Sequence, residues 1–144
     1  MIPARIEDVV QWYQLEGIDY LGYNVLHINE DNSRAEVLFK LEPENKIILH
    51  RHGSLNKSLV ISGEHHIYDP DGTQTEVRPT GSYTISPAKE EPHTECGGPD
   101  GCIVLFSIFD NDGGALYELM DANQTVFAAL TMADLVQLKQ AQAA

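Results

Sequence analysis

The sequence of 144 residues predicts a single all-β domain with a short helix at each end. About ten short stretches alternate apolar and polar residues at a period of two, which is typical of strands that bury one face. Glycine, proline, asparagine and aspartate separate these stretches, as they do in β-sandwiches and barrels. We find no internal repeat and no low-complexity linker, so residues 1–144 are interpreted as one domain.

The composition excludes several classes of partner. A formal net charge of -13 argues against nucleic acid and against anionic membranes, since both require clustered Lys and Arg. No apolar run approaches the ~20 residues that a membrane helix needs. The N-terminus also lacks the basic and apolar regions of a signal peptide. We therefore predict a cytoplasmic protein.

The N-terminal half begins with apolar residues at Ile6, Val9, Val10 and Tyr13, a helix-like spacing that predicts a short helix or irregular arm ending by Gly17. Period-two alternation then predicts strands over residues 23–29, 34–42, 47–52, 57–62 and 64–68. On the first of these strands, His27 has polar neighbours and is predicted to be a surface residue.

The C-terminal half is predicted to contain strands over residues 75–78, 81–86, 102–109, 116–120 and 125–130. Thr131 can cap a final helix from Met132 to about Gln140, whose apolar side would pack on the sheet or on a second subunit. Cys96 and Cys102 flank a Gly-Gly-Pro-Asp-Gly segment that resembles a hairpin tip. A disulfide is possible there, but free thiols are expected in a reducing cytosol.

The segment from Ile48 to Gly53 contains two histidines that could share a metal ion. Successive strand residues point to opposite faces, so His50 and His52 would project side by side. A third imidazole, from the distant His93, could complete a site that keeps open coordination positions.

These residues resemble the two motifs of the cupins. His50-x-His52 is followed after three residues by Asn56 and after six more by Gly63, where the first cupin motif has His-x-His, Glu and Gly. The second motif is matched by three residues, with one extra residue before the histidine and Lys89 where a second glycine is usual: Gly81, Pro87 and His93.

The resemblance covers roughly residues 35–110. It implies a cupin-type double-stranded β-helix, or jelly-roll barrel, with a metal inside its mouth. The glutamate ligand of the family is replaced by Asn56, which leaves His50, His52 and His93 as a three-histidine set. In this respect the chain resembles the cupins that cleave acetylacetone and related diketones, and the 2,4'-dihydroxyacetophenone dioxygenases. It is also similar to the cupin domain of zinc-binding anti-sigma factors, which keep the glutamate.

The charge of such a centre favours one kind of substrate. Three neutral imidazoles leave the +2 charge of a divalent ion uncompensated, so a substrate that brings a negative charge and two oxygens would bind well. An enolised 1,3-diketone or an ortho-hydroxyketone has these properties. Asn56 could ligate the metal through its amide oxygen or support the ligands from behind them.

The leading hypothesis is therefore a dioxygenase that uses Fe(II), with zinc or nickel as alternatives, to cleave a C–C bond in a small diketone or hydroxyketone. Its partners would be that substrate and dioxygen, and a homodimer or higher homo-oligomer is expected. The alternative is a non-oxidative metal-binding cupin, such as a zinc-bound sensor or ligand-binding module. A barrel that merely retains the ligands, and a subunit that acts through its helix surface, are two further interpretations.

Other polar residues near the motifs have open roles. One of the adjacent His65 and His66 should face the interior, but a single bulge would reverse which one it is. One of the three glutamates around His93, namely Glu90, Glu91 and Glu95, could orient its ring. Tyr83 is expected either to line the pocket or to pack in the core.

Overall fold

The computed structural model describes residues 5–110 and 112–143. Nine strands and two helices occur in these residues, and the predicted all-β architecture with a helix at each end is confirmed. The elements are α1 (Ile6–Val9), β1 (Leu21–Ile28), β2 (Arg34–Leu41), β3 (His50–His52), β4 (Asn56–Tyr68), β5 (Gln74–Arg78), β6 (Tyr83–Ser86), β7 (Thr94–Phe109), β8 (Ala115–Met120), β9 (Val126–Thr131) and α2 (Met132–Gln142).

The strands form two antiparallel sheets. The larger sheet has the order β1-β2-β7-β4-β5, with β6 also paired to β4, and the smaller sheet has the order β3-β8-β9. The apolar faces of both sheets meet in one core, in which Val37, Val104 and Leu116 are fully buried. The alternation that predicted β2 places Ala35, Val37 and Leu41 in this core.

Two predicted strands are in fact one. Residues 57–62 and 64–68 belong to the single strand β4, which continues through Gly63. Gly63 adopts a φ of +74° at a register shift in the pairing of β4 with β7. A positive φ is readily available to glycine, so the strand bends at this point and continues.

The predicted hairpin tip between Cys96 and Cys102 is wrong, because both cysteines lie within β7. In the pairing with β4, the step from His65 to Gly63 is matched on β7 by the step from Gly97 to Cys102. The additional residues of β7 form a tight bulge, in which a Cβ on Gly97 would lie 2.4 Å from the Cα of Gly101. Both cysteines are buried and free, as expected.

The helices at the two ends differ in length. α1 is a single turn, after which the chain runs as an irregular arm that pairs Tyr13 with Tyr23. α2 begins at the predicted cap, where the Thr131 hydroxyl accepts a hydrogen bond from the Asp134 amide at 3.3 Å. The helix packs against β1 and β9 of the same chain, and Leu135 is buried in the core. Neither of the described helices is long and apolar enough to cross a membrane.

Candidate metal centre

Backbone pairing brings the three predicted histidines together. His50 and His52 are the first and last residues of β3, and both side chains are buried. His93, just before β7, pairs with His50 through two backbone hydrogen bonds of 3.1 and 2.9 Å. Directly paired residues of antiparallel strands project to the same face, so the imidazoles converge. The ring centroid of His93 lies 4.5 Å from that of His50 and 5.0 Å from that of His52.

Glu95 adds a carboxylate to this face. It lies two residues after His93 and is buried. Its Oε2 lies 2.9 Å from His93 Nε2 and 3.1 Å from His50 Nε2. The potential ligand atoms of His50, His52, His93 and Glu95 all lie within 4.8 Å of one another, so the four residues could hold a metal ion.

His65 forms a hydrogen bond with the other oxygen of the Glu95 carboxylate. It is the inward-facing member of the histidine pair on β4, with only 1% of its surface exposed, while His66 lies on the opposite face beside Glu64. His65 Nε2 donates a hydrogen bond of 3.0 Å to Glu95 Oε1. Its Nδ1 is buried and has no partner among the described residues. His65 therefore orients Glu95 towards the three clustered histidines.

The electrostatics of the centre are dominated by Glu95. Burial alone would raise the pKa of this carboxyl, but hydrogen bonds from His50, His65 and His93 outweigh it and hold the pKa well below its usual value. Burial opposes the charging of His50, but its contacts with Glu95 and with the Ile48 carbonyl raise the pKa of this imidazole.

The orientation of the His50 ring is fixed by a second contact. Its Nδ1 lies 2.8 Å from the Ile48 carbonyl oxygen and donates to it. The Nε2 of this ring consequently faces the other candidate ligands. In metal-bound histidines, a hydrogen bond from the nitrogen that does not bind the metal usually orients the ring in this way.

His52 shows the opposite electrostatic behaviour. Burial and then the positive charges of His50 and His93 keep its pKa well below the usual value, with Arg78 adding to the effect and Glu95 opposing it. His52 is therefore neutral and has a free lone pair at neutral pH.

The side-chain amide of Asn56 is engaged by residues other than the candidate ligands. Its Oδ1 accepts a hydrogen bond of 3.0 Å from the Tyr117 hydroxyl, and its Nδ2 donates one of 3.1 Å to the Ser54 carbonyl. Both the amide and the phenol are buried. Since the Tyr117 ring packs against His52 with centroids 5.1 Å apart, Asn56 supports the histidines indirectly.

Two cavities meet at the centre. An apolar one of about 60 Å³ lies inside the fold and is bordered by His50, Phe39 and Leu135. A polar cleft of about 510 Å³ opens on the other side and is bordered by His52, His93 and the rim residues Glu90 and Glu91. The cleft therefore has room for a small polar molecule next to the candidate ligands.

The remaining predicted residues have different positions. Glu90 and Glu91 lie exposed at the rim of the cleft, so Glu95 is the glutamate that contacts the His93 ring. The expectation for Tyr83 is wrong: it is 59% exposed, because the alternation of β6 turns Thr84 and Ser86 inward instead. His27 is exposed, as predicted.

Two residues of the site were not recognised as such from the sequence. Glu95 was considered only as a possible support for His93, although its two-residue spacing from His93 predicts a shared face if this segment is a strand. Arg78 borders the polar cleft, but the sequence places it only in the strand predicted over residues 75–78. Its position depends on the pairing of β5 with β4, which the local sequence pattern does not contain.

Solved structures with this fold serve different functions. The acetylacetone dioxygenase from Acinetobacter johnsonii is 13% identical, with a TM-score of 0.69, and the match covers 98% of this chain and 91% of that chain. The polyketide cyclase RemF from Streptomyces resistomycificus is 21% identical, with a TM-score of 0.57 and coverages of 74% and 78%. A chain in the structure of Rhodobacter sphaeroides SigE in complex with the anti-sigma ChrR is 23% identical, with a TM-score of 0.57. The match covers 74% of this chain and 51% of that chain.

At these identities the similarity concerns the fold, and it confirms the predicted cupin-type double-stranded β-helix. No curated protein sequence matches this chain. The family model of the ChrR cupin-like domain matches residues 5–109, which include every candidate ligand described above. The chain therefore belongs to the ChrR cupin-like domain family.

Proposed function

We propose that this protein is a metal-dependent oxygenase that binds a small dicarbonyl or hydroxyketone substrate in the polar cleft. The observation that carries the proposal is the cluster of four potential metal ligands, three of them buried and His93 half-buried, beside a cleft of about 510 Å³. A metal site with open positions and an adjacent pocket is the usual arrangement of a catalytic centre.

The residues present fit a divalent metal. Three imidazoles and one carboxylate form a mixed nitrogen and oxygen set that suits iron, zinc and nickel. His50, His52 and His93 would be the ligands, with Glu95 as a fourth. The Ile48 carbonyl already directs His50 Nε2 towards the site, and His65 directs the carboxylate. These supporting contacts are typical of metal centres in proteins.

Divalent iron would supply Lewis acidity towards the two oxygens of an enolised substrate and the redox capacity to use dioxygen. The residues of the chain have separate tasks. Glu95 offsets one of the two positive charges of the metal, so the centre is less electron-poor than a purely three-histidine centre. Phe106 borders both cavities and places an apolar ring beside His52, with centroids 6.3 Å apart.

This proposal can be tested with protein purified without oxygen. We expect about one iron per chain, and oxygen consumption when pentane-2,4-dione or a related diketone is added. A His93→Ala variant should lose both the iron and the activity, whereas a His27→Ala variant, which changes an exposed histidine, should keep both. Iron-loaded wild-type protein that consumes no oxygen with any diketone in a panel would contradict the proposal.

A second candidate is a zinc-bound sensor or ligand-binding module. Glu95 favours it, because three histidines and one carboxylate can complete a tetrahedral zinc site without any open position. This candidate predicts that the purified protein contains zinc and that iron-reconstituted protein shows no oxygen uptake. Zinc removal would then alter ligand or partner binding, whereas oxygenase activity in the iron form would exclude this candidate.

A further inference from the structure

Two cationic side chains border the polar cleft: Lys89 is exposed, whereas Arg78 is largely buried. Arg78 is the last residue of β5, and its side chain is 13% exposed. The pairing of β5 with β4 places Arg78 directly opposite His65, the residue that orients Glu95. Directly opposed residues on antiparallel strands have Cβ atoms ~4.5–5.5 Å apart and project to the same face. Arg78 therefore faces the same interior as the candidate metal ligands, and it borders the cleft together with His52 and His93.

The guanidinium of Arg78 is only partly used within the protein. Its Nη2 donates one hydrogen bond of 2.8 Å to Oε2 of Glu76, a residue whose side chain is half exposed. Its Nε is buried and has no partner among residues 5–110 and 112–143. A buried donor without an acceptor costs free energy, so native proteins usually supply a partner from the chain, from water or from a ligand.

The acidic residues of the cleft offset this charge only in part. Glu76 pairs with Nη2 of Arg78 but is half exposed, and Glu90 and Glu91 are exposed, so water screens all three. Asp69 Oδ1 accepts hydrogen bonds from the backbone amides of Asp71 and Thr73. Glu95 lies deeper, but both of its oxygens are engaged by histidines. The charge of Arg78 also acts on His52, where it contributes to lowering the pKa of the imidazole. With a divalent metal bound, the inner cleft would be positively charged overall.

We propose that Arg78 binds an anionic group of the substrate, so that the substrate is a small oxo acid carrying a carboxylate in addition to its two chelating oxygens. This inference rests on the proposed function, since it places the chelating end at the metal. The carboxylate lies against Arg78 and accepts from the guanidinium N–H groups, which can bind a carboxylate through two parallel hydrogen bonds. Arg78 is thus a specificity-determining residue of the cleft.

Two diketones that differ only by a carboxylate test the inference. The metal-loaded wild-type protein should bind 2,4-dioxopentanoate roughly tenfold to a hundredfold more tightly than pentane-2,4-dione, as expected for hydrogen bonds to a charged group. An Arg78→Met variant, loaded with the same amount of metal, should lose this preference and bind the two diketones with similar affinities. Equal affinities in the wild type, or an unchanged preference in the variant, would overturn the inference.

Arg51→Met is the matched control. Arg51 also pairs with a glutamate, Glu118, at 3.1 and 3.2 Å, but it lies between His50 and His52 on β3 and projects away from them. This variant should keep the full preference for 2,4-dioxopentanoate. A loss as large as that in Arg78→Met would show that general surface charge causes the preference, and it would overturn the inference.

A direct readout separates this inference from the proposed function. The ¹⁵Nε–¹Hε resonance of Arg78, identified by its absence in Arg78→Met, should shift when acetate is added to the wild-type protein. Such a shift supports the anion site even if neither diketone binds, in which case only the proposed function fails. If a diketone binds but neither acetate nor 2,4-dioxopentanoate shifts the Arg78 resonance, the inference is overturned and the proposed function remains in place.

Discussion

At the scale of single residues, Glu95 determines the protonation of the centre. His50 lies within hydrogen-bonding distance of two acceptors, the Ile48 carbonyl and the Glu95 carboxylate, which an imidazolium satisfies with both of its N–H groups. The raised pKa of His50 and the lowered pKa of Glu95 are consequences of this contact. A metal ion needs the free lone pair of His50 Nε2, so metal binding must displace a proton.

The pH dependence of metal binding follows from this displacement. Because the pKa of His50 is raised, the proton competes with the metal already above the reference histidine pKa of about 6.5. Metal affinity should therefore fall as the pH decreases through that raised value. In Glu95→Gln the carboxylate no longer stabilises the imidazolium, so burial dominates and the midpoint should move to lower pH. Titrations with Zn²⁺ across a range centred near pH 6.5 measure both midpoints.

Glu91→Gln serves as the control for this prediction, since Glu91 lies exposed on the loop just before His93. Its midpoint should equal that of the wild type. The same midpoint in Glu95→Gln and in the wild type would show that Glu95 does not control the proton on His50.

Asn56 is expected to act through Tyr117. Its replacement by Ala leaves the buried Tyr117 hydroxyl without its acceptor, which should lower the free energy of unfolding by about 1–3 kcal/mol. Metal stoichiometry should be unchanged. In a double-mutant cycle with Tyr117→Phe, the double variant should lose less unfolding free energy than the two single variants lose together. The reason is that the double variant no longer contains the Tyr117 hydroxyl that Asn56→Ala leaves unpaired. Urea unfolding and metal analysis measure both effects, and loss of metal in Asn56→Ala would make Asn56 a ligand instead.

At the scale of the elements, the two glycines of the cupin-like motifs have different roles. Gly63 lies within β4 at a φ of +74°, and a Cβ on it would lie 2.0 Å from the carbonyl oxygen of Gly101. Gly81 precedes β6 at a φ of +90°, and no atom lies within 4 Å of its Cβ position. Gly63 thus combines a conformational requirement with a close approach to β7, whereas Gly81 has only the conformational one.

Replacing each glycine by Ala separates the two requirements. Gly81→Ala should cost about 1–2 kcal/mol for the left-handed backbone conformation alone. Gly63→Ala should cost a further ~1–3 kcal/mol, because β4 and β7 must move apart. Urea unfolding of the metal-free proteins gives both values. Equal costs would show that the backbone relaxes at Gly63 without disturbing the pairing of β4 with β7.

The elements also show what the sequence could predict. Local alternation was sufficient for β3, where it placed His50 and His52 on one face, and for β2. It failed for residues 94–101, because the glycines and Pro99 resemble a loop, whereas residues 94–97 pair with β4 and residues 98–101 form a bulge within β7. The sequence pattern therefore does not indicate that the Glu95 carboxylate, a potential metal ligand, faces His50.

Long-range pairing explains the other differences. Asn56 occupies a ligand position of the motif, but its partner Tyr117 lies 61 residues away in the sequence. The position of Arg78 opposite His65 depends on the register between β5 and β4. Neither contact has a local signal, because each depends on how separate segments meet in the folded chain.

At the scale of the whole molecule, the centre connects the two sheets. His50 and His52 belong to the smaller sheet through β3, and Glu95 belongs to the larger sheet through β7. Without metal, the sheets are joined here by the backbone bonds between His50 and His93 and by the contact of Glu95 with His50. A metal ion bound to all four residues would add direct links across this junction.

Metal binding should therefore stabilise the entire fold. At a free metal concentration 100-fold above Kd, the free energy of unfolding should increase by about 2.7 kcal/mol, provided that the unfolded chain binds the metal weakly. Thermal unfolding followed by circular dichroism should show a higher midpoint with metal, and a chelator should reverse the change. Because the ion binds the folded protein much more tightly than the unfolded chain, the midpoint should continue to rise as the free metal concentration increases.

The variants show whether this stabilisation comes from the proposed centre. His93→Ala should fold to the same β-rich state but show no metal-dependent increase in midpoint, because the ion loses a ligand from the segment that leads into β7. His27→Ala should respond like the wild type, since His27 is exposed on β1. An increase of full size in His93→Ala would place the stabilising ion elsewhere, for example at the acidic surface. An increase confined to proteins with intact His50, His52 and His93 would instead show that the ion connecting the sheets is bound at the junction between β3 and β7.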